Sequence, residues 1–348
     1  MNPSRVDKAF PQPDAQMIFT PKRIAIAPGD PAGIGYEITA KALEKGREIL
    51  KNGIVVVYAQ RDLWNLAVQR FAPTLHTRPI ASIDEAVDLE PVYLIDPDPA
   101  FSIQDFKQGQ IQAQCARCAH NALMKIVADV RAKRIDGICT GPIHKGAMRL
   151  AGIDEIGHTE MLAKGLNATN PMTLFITRDL RIFFYSRHLS LRQAIEALDV
   201  DKLIDFGLQM NQHMKTLGFD KPRLAMAALN PHASDGGQFG HEEEQILAPA
   251  VQALRQRDID MSGPIGADTV FAQAANATYD AVLSLYHDQG HIAAKTYDFE
   301  RTISATLGLP CLRTSVDHGT AFDIAWQGTA QFISMQTALE VLVKSIKG

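Results

Sequence analysis

Three histidines stand where apolar, strand-like runs give out: His188 after RIFFYS, His232 after RLAMAALNP and His287 after AVLSLY. Each opens a polar turn, RHLS, PHASDGG or HDQGH. In an α/β sheet, ligands bind beyond the carboxyl ends of the strands. Three imidazoles delivered there from separate strands would hold a metal and leave coordination positions open for a substrate. Taken one at a time, each histidine reads rather as a hydrogen-bonded structural residue than as a ligand. Taken together, the metal reading draws level with the structural one, because Asp235 and Asp288 follow close behind His232 and His287 and would orient the rings from outside the metal's own ligand shell. Three neutral imidazoles suit zinc, while substrate oxygens would also admit Mg, Mn or Co. His76, His120, His213 and His241 lack such a setting and read as surface or packing residues.

Other clusters are ambiguous on residue types alone. APGDPAGIGYEI (27–38) is a Gly-rich strand-to-helix connection, but it is neither G-x-G-x-x-G nor a Walker A motif. Its glycines allow close backbone approach, so it reads as a tight turn or as an anion site at a helix start. In TGPIHKGAMRLAGIDEIGHTEML (140–162), Lys145, His158, Thr159 and Glu160 flank a helix start. Thr159 caps that helix, or His158 and Lys145 hold a phosphate or carboxylate beside free N–H groups. Lys295 and Arg313, in YHDQGHIAAK and LGLPCLRTSVDHGTAFDIA, are the cations best placed for an acidic substrate. Asp317 and Asp268 each precede a helix-like segment, where capping competes with a ligand role.

These residues need a scaffold, and the pattern supplies one. Short apolar runs (RIAIA, GIVVVYA, PVYLID, DGICTG) alternate with helical patterns, which argues for βαβ units and a largely parallel sheet. TLFITRD and RIFFYSRH nearly touch around Asp179, so a hairpin and a mixed sheet are expected in the middle of the chain. The acidic start of EEEQILAPAVQALRQRD suits a helix dipole. With 348 residues, 46% of them apolar, two cores are expected. We read residues 1–21 as a loose tail, and 22–140 with part of the C-terminal third as a first α/β lobe. About 141–320 read as a second lobe carrying the metal and substrate residues, interleaved with the first. No run is long enough to cross a membrane, the first residues lack a signal peptide's apolar stretch, and a net charge of −4 with mixed signs points to neither nucleic acid nor membrane. Four cysteines make no disulfide framework, which fits a reducing cytoplasm; Cys115-x-x-Cys118 sits inside a helical pattern and reads as packing.

Seven motifs follow one another in a specific order: GDPAGIG, TGPIHKG, GHTE, LNPHASDGG, GPIGADTVF, YHDQGH and LGLPCLRTSVDHGTA. Over about residues 22–345 the chain thereby resembles the 4-hydroxythreonine-4-phosphate dehydrogenase family. The resemblance implies an α/β fold of two α/β/α lobes, similar to isocitrate and isopropylmalate dehydrogenases, with the active site in the cleft between them. It implies NAD or NADP bound without a Rossmann fingerprint, and a homodimer whose active site takes residues from both subunits. It implies one divalent metal on His188, His232 and His287, and substrate binding by His158, Thr159, Lys295 and Arg313. Two departures stand out. Ser304 replaces the family's substrate-binding asparagine and lacks an amide's two donors. His291, after YHDQG, resembles the sister branch acting on 4-phosphothreonate or 4-phosphoerythronate. A further relative oxidises an aromatic cis-dihydrodiol dicarboxylate; the GHTE, HKG and LRTS kept here argue instead for a phosphorylated substrate.

The expected reaction is oxidation, then decarboxylation, of a 4-phosphorylated 3-hydroxy acid, in vitamin B6 synthesis or in sugar-acid catabolism. Lys295 and Asp288 are candidates for the proton acceptor, and Asn230 and Asp268 for cofactor contacts. Two rivals come from other classes: a non-redox metal-dependent phosphohydrolase or lyase using the same histidines, and a binding paralogue that has lost catalysis.

Overall fold

The computed structural model describes residues 21–155 and 157–346, so the expected tail lies, but for Pro21, outside the described residues. The chain forms two compact units, with crossings between Pro171 and Met172 and between Thr302 and Ile303.

The larger unit opens with β1 (Lys22–Ala27), α1 (Gly35–Lys45), α2 (Arg47–Leu50), β2 (Gly53–Tyr58) and α3 (Arg61–Phe71). It continues with β3 (Thr77–Pro79), β4 (Val92–Ile95), α4 (Ala113–Arg131), β5 (Gly137–Thr140), α5 (Lys145–Leu150) and α6 (His158–Leu166). The smaller unit follows, with β6 (Met172–Thr177), β7 (Leu180–Phe184), α7 (Leu191–Glu196), α8 (Val200–Thr216) and β8 (Leu224–Ala227). Then come α9 (Ala248–Arg255), β9 (Met261–Ile265), α10 (Ala267–Ala275), β10 (Ala281–Ser284) and α11 (His287–Tyr297). The chain returns to the larger unit through β11 (Thr302–Leu307), β12 (Leu312–Val316) and α12 (Ile333–Ile346).

In the larger unit the strand order is β3-β4-β2-β1-β5-β12-β11, parallel except for β11, which runs antiparallel to β12. Strands β2, β4 and β5 are buried at every residue, which is why they read as continuous apolar runs rather than alternating ones. α4 packs Leu123, Ile126 and Val127 into one cluster with Val56, Tyr93 and Ile138. Met161, Leu162 and Leu166 of α6 join the same cluster. This packing ties 141–171 to the larger unit, whereas the sequence reading puts the crossing near residue 140.

In the smaller unit the order is β6-β7-β10-β8-β9. The β6–β7 hairpin is antiparallel and the remaining pairs are parallel, as the run around Asp179 suggests. The acidic run stands, as expected, in the first turn of the helical stretch that runs through a π turn (Glu243–Leu247) into α9. Glu243 has a further role: it is buried, and its carboxylate accepts the backbone N–H groups of Leu229 and Asn230, both at 2.8 Å, so it also holds the exit of β8.

All four cysteines are free, and Cys115, Cys118 and Cys139 are buried. Burial pushes the thiols of Cys118 and Cys139 up to about 12, so they stay protonated packing groups. Among the described residues, no helix is long and apolar enough to cross a membrane.

Candidate active site

β7, β10 and β8 are neighbours and run parallel, so all three end at the same edge of the smaller unit's sheet. His188, His287 and His232 follow those three strands in that order. The hydrophobic pattern sets this arrangement: each strand is buried until the chain meets the polar turn that carries the histidine.

Each histidine is delivered differently. His188 is exposed after β7. His287 is the first residue of α11, and its Nδ1 lies 2.6 Å from Asp288 Oδ1. A carboxylate accepting from Nδ1 leaves Nε2 for a ligand. His232 lies in a run of left-handed backbone, with φ of 52° at His232, 54° at Ala233, 73° at Ser234 and 47° at Asp235. Such strain persists only where the surroundings enforce it. Buried Ser234 does so, because its Oγ accepts from Gly237 N–H at 2.8 Å and donates to Gly240 O at 2.7 Å. The three residue types fit a zinc-like donor set, and their shared sheet edge fits an open site. Within one chain they do not converge: among the described residues, no three His, Cys, Asp or Glu side chains form a ligand group.

Gln289 is a positioning residue that the sequence reading overlooks. It is buried; its Oε1 accepts from Leu285 N–H (2.8 Å) and Ser284 Oγ (3.2 Å), while its Nε2 donates to Ala228 O (2.7 Å). It thus ties the exit of β10, leading to His287, to the exit of β8, leading to His232. The only sequence signal is its place inside HDQGH.

His287, His291 and Lys295 line one cavity of about 410 Å³ with Ile292, Thr296 and Phe299. The Lys295 ammonium lies 5.4 Å from the Phe299 ring centre. Burial, reinforced by the nearby charges of His287, Lys295 and Arg187, pushes the His291 imidazole down to about 4. A second, apolar cavity of about 410 Å³ is lined by Asp268, Phe271, Gln289, Ile292 and Tyr297 among others. Asn230, singled out for cofactor binding, has its amide nitrogen committed to Glu242 Oε2 (2.7 Å) and Glu243 Oε2 (2.8 Å). Its side chain braces the β8 exit.

The remaining expected residues lie in the larger unit. Arg313 on β12 is buried. Its Nε and Nη2 donate to Thr140 Oγ1 (3.1 and 2.7 Å), and its Nη1 donates to Thr306 Oγ1 (3.1 Å). Both partners are neutral, and no carboxylate pairs with it among the described residues. Burial pulls the guanidinium down to about 10, which still leaves it charged at neutral pH. His158 opens α6, whose N-cap is Gly157 with no side-chain cap, so Thr159 does not fill the capping role. Burial first, then the Arg313 charge, hold His158 well below its usual range and therefore neutral. A buried cation hydrogen-bonded to neutral hydroxyls, with Glu160 acting on it only through its charge, near a helix start whose N–H groups lack a side-chain cap, is an arrangement suited to an anion. Ser304 pairs with Ser315 across the β11–β12 ladder, Oγ to Oγ at 3.0 Å. Thr306 pairs with Arg313 two residues along, so Ser304 shares the strand face on which Arg313 sits. Of the residues that complete this patch, Thr140 and Ser315 lie inside TGPIHKG and LGLPCLRTSVDHGTA without having been singled out, and Thr306 lies outside every motif. Lys145 is exposed at the start of α5, where His144 is the cap, its Nδ1 accepting from Ala147 N–H at 3.1 Å.

The Gly-rich connection packs tightly against its neighbours. A Cβ on Gly29 would fall 2.1 Å from Pro142 O, and one on Gly35 would fall 1.9 Å from Pro28 O. Asp30 inside it is fully buried, with Oδ1 accepting from Ala32 N–H (2.9 Å) and Oδ2 unpartnered. Burial pushes its carboxyl up to about 6, only partly opposed by the Ala32 bond. The unfolded chain titrates near its ordinary value of about 3.9, so the folded state binds this proton more tightly. The contribution is fully present below about pH 4, falls as pH rises to about 6, and above that costs about 3 kcal/mol. Asp30→Asn is expected to flatten this slope in urea unfolding across the same range. An unchanged slope in the variant would assign the pH dependence to another group.

Residues 51–342 match the family described as the pyridoxal phosphate biosynthetic protein PdxA. A Halalkalibacterium halodurans protein named "Putative D-threonate 4-phosphate dehydrogenase" is 42% identical over 322 residues, covering 92% of this chain and 96% of that one. A Symbiobacterium thermophilum protein of the same name is 43% identical over 322 residues, with 92% and 96% covered. The crystal structure of 4-hydroxythreonine-4-phosphate dehydrogenase from Klebsiella pneumoniae matches with a TM-score of 0.85 at 36% identity, covering 95% of this chain and 100% of that one.

Proposed function

Because the chain belongs to the family of the pyridoxal phosphate biosynthetic protein PdxA and is an enzyme of the dehydrogenase type found there, we propose that it oxidises a 4-phosphorylated 3-hydroxy acid with NAD or NADP. D-threonate 4-phosphate or D-erythronate 4-phosphate is the preferred substrate, with 4-hydroxythreonine-4-phosphate as the amino analogue. The observation that carries the reading is the placement of His188, His232 and His287 at the ends of three neighbouring parallel strands.

A divalent metal on these histidines would supply Lewis acidity toward the substrate hydroxyl, and the nicotinamide would accept the hydride. The chain's own residues do the rest. Asp288 holds the His287 ring through Nδ1. Arg313, steadied by Thr140 and Thr306, offers its charge to an anionic substrate group, and His158 and Thr159 add donors at the start of α6. Lys295 lines the cavity beside His287, and the Asp288 carboxylate, or Lys295 as its neutral amine, is the candidate to take the hydroxyl proton. Hydride leaves C3 and the proton leaves its oxygen, giving a β-keto acid. Its C1–C2 bond then breaks, CO2 departs, and the electron pair left at C2 is held with the C3 carbonyl until C2 takes up a proton, giving a phosphorylated ketone.

Homodimerisation is part of this proposal. The three histidines do not converge within one chain, so a second copy would complete the donor set. The smaller unit also exposes the large apolar side chains of Leu189, Leu191, Phe239, Ile292, Tyr297 and Phe299, which association would cover.

The test is nicotinamide reduction with each of the three phosphorylated substrates, with and without divalent metal. Metal-dependent reduction with the two sugar acids is the expected result. Turnover confined to the amino substrate would move the enzyme to pyridoxal phosphate biosynthesis. Product without any absorbance change would favour a phosphohydrolase or lyase.

A further inference from the structure

α11 presents His287, His291 and Lys295 at four-residue intervals, so the three share one helical face. All three line the same cavity of about 410 Å³. The outer two have proposed chemical roles, while the middle one has so far only marked a resemblance to the sister branch. Its ring is nevertheless held from three sides. It stacks on His287 with centres 3.8 Å apart and planes 15° apart. Phe175 meets it edge-on at 4.4 Å, and Phe184 packs at 4.8 Å. Gly290 explains the close approach: a Cβ there would fall 2.6 Å from the Phe184 ring and 2.9 Å from Ile182 Cγ2. Glycine lets α11 lie flush against β7 and carries the imidazole onto the two phenylalanines.

Packing alone would be served by leucine or phenylalanine. An imidazole adds one donor and one acceptor. No described residue hydrogen-bonds either His291 ring nitrogen, and the ring is only half-buried beside the cavity. Its orientation is fixed while its polar atoms remain available to a ligand.

We propose that His291 is a specificity-determining residue, whose imidazole hydrogen-bonds a substrate hydroxyl between the groups held at His287 and at Lys295 and so favours a 2-hydroxy acid over its 2-amino analogue. A hydroxyl can pair with whichever ring nitrogen faces it, donating to the bare nitrogen or accepting from the N–H. An ammonium only donates, and it adds a positive charge to a cavity that already holds the Lys295 ammonium. The inference rests on the dehydrogenase reading above.

The experiment compares the wild-type holoenzyme with His291→Leu and His291→Gln. It measures kcat and KM for D-threonate 4-phosphate and for 4-hydroxythreonine-4-phosphate, zinc affinity by calorimetry, and Tm. His291→Leu should lower the hydroxy-over-amino ratio of kcat/KM by about tenfold, mainly through KM, with zinc affinity and Tm held. His291→Gln, which keeps a donor and an acceptor, should recover part of the ratio. An unchanged ratio, or a loss of zinc affinity with no change in the ratio, would overturn the proposal. If the wild type reduces nicotinamide with neither compound, the dehydrogenase reading itself falls, and this assignment with it.

Discussion

His232→Ala is expected to abolish zinc binding and to lower turnover by at least about a thousandfold, because the lost group supplies several kcal/mol of charge stabilisation. The fold should survive. The left-handed run around His232 is held by Ser234 through Gly237 and Gly240, and the β8 exit before it is held by Glu243. The imidazole contributes neither. Its one ring contact is a T-shaped approach to Phe239 with centres 6.4 Å apart. Alanine also tolerates this backbone, since Ala233 already adopts φ 54° next door. Calorimetric zinc titration, Tm and nicotinamide reduction, measured on one preparation, separate loss of the ligand from loss of the fold. Normal turnover in this variant would sink the metal assignment. A collapse of Tm would show that the ring is part of the loop's own support.

The strand ends were readable because parallel strands buried on both faces make unbroken apolar runs, and RIFFYS, RLAMAA and AVLSLY stop where burial stops. The side-by-side order β7-β10-β8 was not readable, because it is a choice of partners distant in sequence. The crossing at Pro171 was missed for a related reason. α6 carries a helical pattern compatible with either unit, and only the packing of Met161, Leu162 and Leu166 on α4 decides. Asn230 shows a different limit. An asparagine beside a strand-end histidine looks like a ligand contact, but the acids that take its amide lie about one helical segment later in the sequence. Periodicity gives no sign that Glu243 turns inward. Gln289 and Thr140 lie inside HDQGH and TGPIHKG, yet their partners, like those of Thr306, are not legible there for the same reason. Their roles come from single hydrogen bonds across the fold rather than from any local pattern.

Arg313 gives the second large effect, and here activity and stability should part. Burying a cation whose hydrogen bonds go to neutral groups costs stability, and removing it in favour of an apolar side chain of similar size is often neutral or stabilising by about 1–4 kcal/mol. Arg313→Met should therefore hold or raise Tm while lowering kcat/KM by about a thousandfold, since two charge-assisted bonds to the substrate's anionic group are worth roughly 1.5–3 kcal/mol each. Arg313→Lys keeps the charge. However, a point ammonium cannot bond both Thr140 and Thr306 and still present a flat face to a phosphate or carboxylate. Its loss should be about a hundredfold, expressed mostly in KM. A guanidinium that merely braced β12 against β5 would behave in the opposite way, with Tm falling in both variants and KM unmoved. Measuring Tm and the two kinetic constants for wild type, Arg313→Met and Arg313→Lys distinguishes the cases. A stable Arg313→Met enzyme with unimpaired KM would remove the anion from this site.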